Sequence, residues 1–350
     1  MMAKSTGWTF NTLKEAYAPR DPLQYIADGI IPEGSLSIVY GAPGCLKSLL
    51  LMDLLACIVA GADWLTDEHG KEGISTIAGP GVYLDFDQGS RPMAERLDAI
   101  GHTRGLADDA PLYWISLPSP WLDLTNARLV DCLATDLGPF DPNLVVVDNL
   151  GNVSGNAEEN SAEMTRVMSG ARVLTERLDT AVIVVHHQRK STGFTGGRPG
   201  DALRGHSSIE AAIDLALHID RELGSNEITV TATKTRFAPV KQFGAEFVYT
   251  HLPGTRELDT ARFIGRETID LHSDDAIRRT VLEVIANDPG LNKTELTDAT
   301  KDICDVGVNR IRGQIAKLIS AGKLVSKPGP HNSKLYYLPT TDPFQTAWYH

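Results

Sequence analysis

Short apolar runs alternate with amphipathic segments along the first two thirds of the chain. The apolar runs predict strands at 35–40, 80–88, 112–117, 144–149 and 181–185. The segments between them predict helices at 48–60, 92–100 and 162–178. Strands that alternate with helices are typical of βαβ units, in which helices cover both faces of a parallel sheet. The sequence therefore predicts an α/β fold with a mainly parallel sheet.

The pattern changes after residue 187. The segment 188–205 has no apolar periodicity and is rich in glycine and basic residues. Beyond it the pattern predicts a helix at 207–213, strands at 216–219, 227–233 and 246–249, and a loop-rich stretch at 252–271.

The C-terminal segment has a different organisation, with three helical stripes followed by a hairpin. A capping box at 292–295 starts the second helix. Three helices and a hairpin are typical of a winged helix-turn-helix. The predicted divisions are a lead-in at 1–34, the α/β domain at 35–255, a linker at 256–272, the winged helix domain at 273–340 and a tail at 341–350.

Composition says more about the class of protein and its location than about its function. A hydrophobic content of 42% and a charged content of 22% predict a packed core. Without an apolar run of about 20 residues or a signal-peptide pattern, we expect a cytoplasmic protein that has no membrane contact. The four scattered cysteines fit reduced thiols. Because the net charge is -12, any contact with nucleic acid requires local basic patches.

A glycine-containing turn joins the first strand of the α/β domain to an apolar helix. The turn comprises Gly41, Ala42, Pro43, Gly44, Cys45, Leu46, Lys47 and Ser48. This arrangement indicates a phosphate loop, whose backbone N–H groups and helix N-terminus face the phosphates of a nucleotide. Lys47 would reach the β- and γ-phosphates, and Ser48 would ligate Mg²⁺. Leu46 stands where such loops usually have glycine. The alternative interpretation of the segment is a plain turn before a core helix.

Acidic residues mark the ends of two predicted strands. Asp148 can hold Mg²⁺ there, or alternatively cap the next turn. Asp87 is the candidate for polarising an attacking water, and Asp85, two residues further back, is the weaker one. Ligands of parallel sheets bind at the carboxyl ends of the strands. We therefore expect Asp87, Asp148 and His187 to converge on the phosphate loop.

Basic and imidazole side chains follow other strands. Neighbouring strand residues point to opposite faces, which disfavours a metal site made of His186 and His187. His187 could instead sense a γ-phosphate. Lys234 and Arg236 alternate onto one face at the end of a later strand, where two charges project together. A solvated strand end is the alternative for this pair.

Six segments resemble the RecA-like ATPases, and most of all the RepA-like replicative helicases of plasmids and phages, relatives of DnaB. They lie at 29–61, which contains GAPGCLKS, 81–90 (GVYLDFDQGS), 144–164, 182–191 (VIVVHHQRKS), 203–217 and 228–237 (ITVTATKTRF). The resemblance runs from about residue 22 to 249. It implies a RecA-like P-loop core that forms a ring, usually a hexamer, with ATP between subunits and single-stranded DNA in the central channel.

The resemblance also implies roles for individual residues. Lys47 and Ser48 become the phosphate-loop pair that binds ATP, and Asp148 becomes the second Mg²⁺ group. Asp87 stands where the family has a catalytic glutamate, and His187 falls near the γ-phosphate sensor. The basic pair Lys234 and Arg236 matches residues that reach into the neighbour's ATP site. The segment facing DNA in this superfamily here contains Arg189, Lys190, Arg198 and Arg204.

The third helix of the winged domain has a polar face that could contact DNA. Arg310, Gln314 and Lys317 recur at i, i+4 and i+7, where a recognition helix meets the major groove. The region 273–340 has ten Lys and Arg against eight Asp and Glu, hence +2. Double-stranded DNA and replication proteins are therefore both candidate partners.

These observations favour an ATP-dependent replicative helicase or translocase of a mobile element. The departures at Leu46 and Asp87 keep an alternative open, a nucleotide-gated DNA-binding regulator or loader with slow ATPase. A RecA-like recombinase is the third hypothesis.

Overall fold

Two units make up the chain, Met1–Glu267 and Thr268–His350. The computed structural model describes residues 10–155, 157, 163–187, 207–221, 224–267, 274–304, 306–330 and 333–339. Within these ranges, no helix combines the length and the apolar character needed to cross a membrane.

The first unit alternates strands and helices. Its elements are α1 (Leu13–Ala16), β1 (Tyr25–Ala27), β2 (Ile31–Pro32), β3 (Leu36–Gly41), α2 (Lys47–Ala60), β4 (Gly81–Asp85), α3 (Ser90–Thr103), β5 (Leu112–Ser116), α4 (Ala127–Leu137), the 3-10 turn Gly138–Phe140, β6 (Leu144–Asp148), α5 (Leu150–Val153), α6 (Met164–Leu178), β7 (Ala181–His187), α7 (Ser207–Ala212), β8 (Leu215–Asp220), β9 (Glu227–Thr235), β10 (Phe243–His251) and β11 (Leu258–Arg266).

A nine-stranded sheet organises this unit, in the order β11-β10-β9-β8-β3-β7-β6-β4-β5. The strands from β8 to β5 run parallel, and β9, β10 and β11 extend the sheet in antiparallel fashion. Alternate residues of β3 enter different cores: Val39 packs on the face with α2 and α3, whereas Ile38 packs on the face with α4 and α6. The predicted α/β fold with a mainly parallel sheet is therefore confirmed.

The predicted loop at 252–271 is wrong over Leu258–Arg266, which forms strand β11. Its inward residues Ala261 and Phe263 are buried, but Arg262 lies between them and the polar residues Asp259 and Thr260 before them are exposed, which weakens the apolar signal. Because β11 pairs with β10 along its length, the first unit continues to Glu267. The predicted linker at 256–272 therefore begins too early.

The second unit contains three helices and a hairpin. These are α8 (Asp274–Asn287), α9 (Lys293–Cys304), α10 (Val308–Ser320), β12 (Val325–Pro328) and β13 (Lys334–Tyr337). Ile277, Ile311 and Tyr336 belong to its buried core. At the start of α9, Asn292 Oδ1 accepts from the Glu295 N–H at 3.1 Å, and Glu295 Oε2 accepts from the Asn292 N–H at 2.8 Å. The predicted capping box is therefore present.

Candidate nucleotide site

The carboxyl ends of four neighbouring parallel strands bring the predicted site residues to one edge of the sheet. Gly41 at the end of β3 lies beside His187 of β7. Asp85 at the end of β4 lies beside Asp148 of β6. Since ligands of such sheets bind at this edge, this is the candidate nucleotide site.

The turn between β3 and α2 approaches its neighbours closely and has an unusual backbone. A Cβ atom at Gly41 would lie 2.3 Å from the Ile219 carbonyl oxygen, so only glycine fits there. Gly44 has a φ of +81°, and Leu46 has a φ of +65° and a ψ of +17°. Leu46 thus adopts the left-handed conformation of the glycine it replaces, which costs about 1–2 kcal/mol for a residue with a side chain.

Lys47 lies inside this turn with only 3% of its surface exposed. Its Nζ donates to the carbonyl oxygens of Gly41 at 3.0 Å and Ala42 at 2.9 Å. The Cys45 Sγ is 3.5 Å from the same nitrogen. Burial raises the pKa of the Cys45 thiol in spite of this nearby cation, so the thiol stays neutral. The ammonium group is therefore the charge that the turn presents.

Asp148 is buried and accepts two short hydrogen bonds on one oxygen. The Ser48 hydroxyl and the Tyr83 hydroxyl each donate to Asp148 Oδ2 at 2.6 Å. Burial raises the pKa of Asp148, although both hydroxyls oppose this shift. Mg²⁺ in nucleotide sites takes few protein oxygens and completes its shell with phosphates and water. The hydroxyl and carboxylate oxygens of Ser48 and Asp148 fit such an ion.

Asp87 and His187 face each other next to this pair. The distance from His187 Nε2 to Asp87 Oδ2 is 3.9 Å, and the Asp87 side chain is 48% exposed. Burial lowers the pKa of His187 and nearby Lys47 lowers it further, so the imidazole is neutral at pH 7. The Asn152 amide donates to the Phe86 carbonyl at 2.7 Å and lies 3.5 Å from Asp87 Oδ1. An accessible carboxylate can orient a water here.

Asp85 shapes the turn that carries Asp87. Its carboxylate accepts from the backbone N–H groups of Asp87, Gln88 and Gly89 at 3.0–3.1 Å and from the Ser116 hydroxyl at 2.6 Å. Since β4 ends at Asp85, Asp87 lies in the turn after the strand and not within it. Asp85 is therefore occupied by structural hydrogen bonds, in agreement with its weaker candidacy.

Lys234 and Arg236 come together at a different place. Lys234 Nζ donates to the Glu210 carbonyl, and Arg236 Nη2 donates to the Ala211 carbonyl. Arg236 Nη1 also contacts Asp214 Oδ1 at 3.1 Å. Burial and the charge of Arg236 lower the pKa of Lys234, which reflects the closeness of the pair.

This basic pair lies at the amino edge of the parallel strands. β8 runs parallel to β3, with Leu215 beside Ser37 and His218 beside Tyr40. Asp214 precedes β8, whereas the phosphate loop follows β3, so the two places are separated by the length of a strand. β8 has six residues, which corresponds to about 17 Å. Within one chain the basic pair does not meet the phosphate loop.

Several side chains at these two edges are not apparent from the sequence pattern. They are Tyr83, Asn152, Arg172, Asp214 and Arg221. Arg221, for example, donates from Nη1 to the Gly44 carbonyl at 2.7 Å across 177 residues of sequence. Two of them have a sequence signal, a polar residue near a strand end: Asp214 precedes β8 and Arg221 follows it.

The predicted DNA-contacting residues have different outcomes. Those in the glycine-rich segment lie outside the described residues: Arg189, Lys190, Arg198 and Arg204. In the second unit, Gln314 is 3% exposed and accepts from Arg278 Nη1 at 2.7 Å. Arg310 and Lys317 contact the Asp274 carboxylate at 3.0 and 3.4 Å. The predicted contact of Gln314 with DNA is therefore wrong, because its side chain is buried against Arg278 of α8. Arg310 and Lys317 keep 50% and 60% of their side chains exposed, so their contact with DNA stays a prediction.

Comparisons with known proteins agree with this fold. A structure described as a DnaB-like replicative helicase, with its interactions with primase, has a TM-score of 0.50 and 12% identity. The match covers 73% of this chain and 66% of that one. The crystal structure of the RadB recombinase has a TM-score of 0.43 and 17% identity, covering 62% and 88%. At 12% identity the likeness to the DnaB-like helicase structure concerns the fold alone, and the likeness to RadB, with a TM-score below 0.5, carries no argument.

A search of curated protein sequences gave no match. A family model described as an AAA domain (AAA_25) matches residues 6–193, which contain the phosphate loop, Asp87, Asp148 and His187. The matched region is more than half of the 350 residues. The chain therefore belongs to this AAA domain family and has the fold of a P-loop nucleoside triphosphatase.

Proposed function

We propose that this protein is an ATP-dependent, Mg²⁺-dependent motor that acts on single-stranded DNA as a ring, a replicative helicase or translocase of a plasmid, phage or other mobile element. The resemblance of its six segments to RepA-like helicases suggests this activity and a hexamer. The separation of its two charged sites, described above, is the observation that carries the proposal.

That separation calls for a second copy of the chain. Arg236 lies beside Asp214, about one strand length from the phosphate loop of its own chain, and Lys234 lies opposite Ala216, the second residue of β8. If they act on a nucleotide, it is one bound to a neighbouring copy. The contact then joins two different surfaces. Such head-to-tail contacts form a ring when the rotation between copies closes, and an open helical filament when it does not.

The residues of the candidate site have complementary tasks. Bound ATP with Mg²⁺ supplies the phosphoryl group and the metal charge. Lys47 neutralises the β- and γ-phosphates, while Ser48 and Asp148 provide oxygen ligands for the metal. Asp87 orients the attacking water, and neutral His187 stands beside it as a donor toward the γ-phosphate.

Mixing two inactive variants tests whether the site forms between copies. Lys47→Ala removes the phosphate-loop charge, and Arg236→Ala removes the basic finger, so each protein alone should have little ATPase activity. A trans-acting arginine is worth about 10³–10⁵ in rate. In a random equal mixture about a quarter of the head-to-tail contacts combine an intact loop with an intact finger. Mixing should therefore restore a measurable fraction of the wild-type rate.

The control is the double variant Lys47→Ala/Arg236→Ala mixed with either single variant. In each of these mixtures every copy lacks the same group, either Lys47 or Arg236, so no contact combines an intact loop with an intact finger. Nucleotide affinity of Arg236→Ala should stay near that of the wild type. Wild-type turnover by assembled Arg236→Ala would contradict the finger assignment, and failure of the mixture to regain activity would contradict a site between copies.

Strand displacement on a forked duplex distinguishes a helicase from the slow, nucleotide-gated regulator or loader. The left-handed Leu46 and the shorter carboxylate of Asp87 are the features that favour the second candidate. The assay requires saturating ATP and low salt, since phosphate contacts weaken steeply with ionic strength. Unwinding is expected, and its absence together with tight duplex binding would favour the regulator.

We also propose that the second unit is a winged helix-turn-helix whose hairpin contacts phosphates. Lys323, Lys327 and Lys334 are exposed on or beside the hairpin. Lysines at such positions hold a DNA backbone without reading its sequence. Replacing all three with glutamine should weaken duplex binding and reduce its salt dependence, and an unchanged salt dependence would favour a protein partner instead.

A further inference from the structure

Three cationic side chains converge on the end of helix α7. Arg172 of α6 donates from Nη2 to the Ala212 carbonyl at 2.8 Å. Lys234 and Arg236 take the two preceding carbonyls, those of Glu210 and Ala211. The unpaired carbonyls at a helix C-terminus attract cations. Side chains from helix α6 and from the end of strand β9 are thus held together at the C-terminus of α7.

Asp214 joins two of these cations to the sheet. Its Oδ2 accepts from Arg172 Nη1 at 2.7 Å and from the Leu36 N–H at 2.9 Å, and its Oδ1 accepts from Arg236 Nη1 at 3.1 Å. The backbone N–H of Arg236 also donates to the Asp214 carbonyl at 2.8 Å. The carboxylate therefore has a single well-defined orientation, set by the first residue of β3.

The exposure of the partners differs sharply. The Asp214 side chain is 7% exposed, whereas the Arg236 side chain is 47% exposed. A guanidinium has five N–H donors, and the described contacts of Arg236 use its Nη1 and Nη2 groups. Part of the Arg236 side chain thus remains open to solvent, while its guanidinium is bound to buried Asp214 and to the Ala211 carbonyl.

The carboxyl group of Asp214 is held in its charged form. Burial raises the pKa of this carboxyl, but hydrogen bonds from Arg172 and Leu36 and the charges of Arg172 and Arg236 outweigh burial and hold it below its ordinary value. Three cations against the carboxylates of Asp214 and nearby Glu210 give this cluster a net charge of +1, in a chain whose total is -12. The cluster suits a polyanion.

We propose that Asp214 is a positioning residue for Arg236, holding its side chain so that the exposed part faces the triphosphate bound to a neighbouring copy. This inference rests on the proposed function. Asp214 touches no nucleotide itself and acts through Arg236. A free arginine side chain would have to lose much rotamer freedom on each encounter, and Asp214 removes this cost beforehand.

The test is a double-mutant cycle on turnover by the assembled protein. Asp214→Asn keeps the size of the side chain but removes the charge that fixes Arg236. We expect kcat to fall by about tenfold to a hundredfold, with nucleotide affinity unchanged, because misplacing one catalytic contact by about 1 Å costs on that order. In the Arg236→Ala background the same substitution should have no further effect on kcat. Asp131→Asn, which breaks the exposed pair with Arg177 at 3.0 Å, is the matched control.

Each outcome decides a separate question. If Arg236→Ala itself turns over at the wild-type rate, the proposed function fails. If Arg236→Ala turns over slowly but measurably, and Asp214→Asn retains the wild-type kcat or lowers kcat by the same factor in both backgrounds, only the positioning role is overturned. Should Asp214→Asn fail to fold, Asp214→Glu carries the same cycle, since it keeps the charge and displaces the carboxylate by one methylene.

Discussion

Leu46 offers a direct test of the phosphate-loop conformation. Its φ of +65° is a left-handed conformation that costs about 1–2 kcal/mol for any residue with a Cβ. Glycine removes this cost but loses about 0.5–1 kcal/mol through the greater freedom of the unfolded chain. Leu46→Gly should therefore be more stable than Leu46→Ala by about 0.5–1 kcal/mol, although both lose the same packing of the leucine side chain.

Leu97 is the matched control. It is also a partly buried leucine packed against the same core, but it lies in the middle of α3. There the helical conformation favours alanine over glycine by about 0.8–1.0 kcal/mol. The preference between alanine and glycine should thus have opposite signs at positions 46 and 97.

Scanning calorimetry of the four variants measures these differences. For a unit of this size, 1 kcal/mol shifts Tm by about 2–4 °C. Leu46→Gly should unfold at a higher temperature than Leu46→Ala, while Leu97→Gly should unfold at a lower temperature than Leu97→Ala. If alanine is the better residue at position 46 as well, the left-handed conformation is refuted, and with it the view that Leu46 replaces glycine within an ordinary phosphate loop.

Three further predictions concern buried polar groups. Arg104 forms two hydrogen bonds to fully buried Asp53, at 2.9 and 2.7 Å. Asp53→Ala should therefore lower the free energy of unfolding by about 3–5 kcal/mol in calorimetry, because it leaves the charge of Arg104 unpaired. Asp53→Leu/Arg104→Met should lower it much less, and equal losses in the two variants would contradict a buried ion pair. Burial lowers the pKa of His218, so below about pH 6.5 the unfolded chain binds a proton that the folded chain does not. The free energy of unfolding of the wild type, measured in urea, should consequently decrease as the pH falls from 7.5 to 5.5, by at most about 1.4 kcal/mol per pH unit for this group. It should decrease less steeply in His218→Gln, and parallel curves for the two proteins would refute this. Gln314→Ala removes a buried hydrogen-bond acceptor of Arg278 and should destabilise the second unit by about 1–3 kcal/mol in thermal unfolding. An unchanged unfolding temperature would argue that the Gln314 side chain is exposed.

The parallel core could be predicted because its strands are buried on both faces. Such strands give continuous apolar runs, as in Leu144–Asp148, and the glycine-containing turn after β3 adds a recognisable motif. The convergence of Asp148 and His187 on this turn follows from the rule that strand ends meet at one edge. For these residues, local pattern and topology are sufficient.

Other features depend on contacts that no local pattern reports. β11 lies at the edge of the sheet and mixes buried residues with exposed and partly buried polar ones, so its sequence resembles a loop. Asp214 receives its hydrogen bond from Leu36 across 178 residues. The polar stripe on α10 has helical spacing, but the spacing does not reveal which face meets α8. Gln314 is buried there because Arg278 satisfies its amide oxygen.

The hydrogen bond from Ser48 to Asp148 has a consequence for the order of binding. Because the single hydroxyl proton points at Asp148 Oδ2, 2.6 Å away, only lone pairs of Ser48 remain for an incoming group. Lone pairs repel a bare phosphate and attract a cation. Metal bound at Ser48 should therefore strengthen nucleotide binding, and by thermodynamic reciprocity nucleotide strengthens metal binding by the same factor.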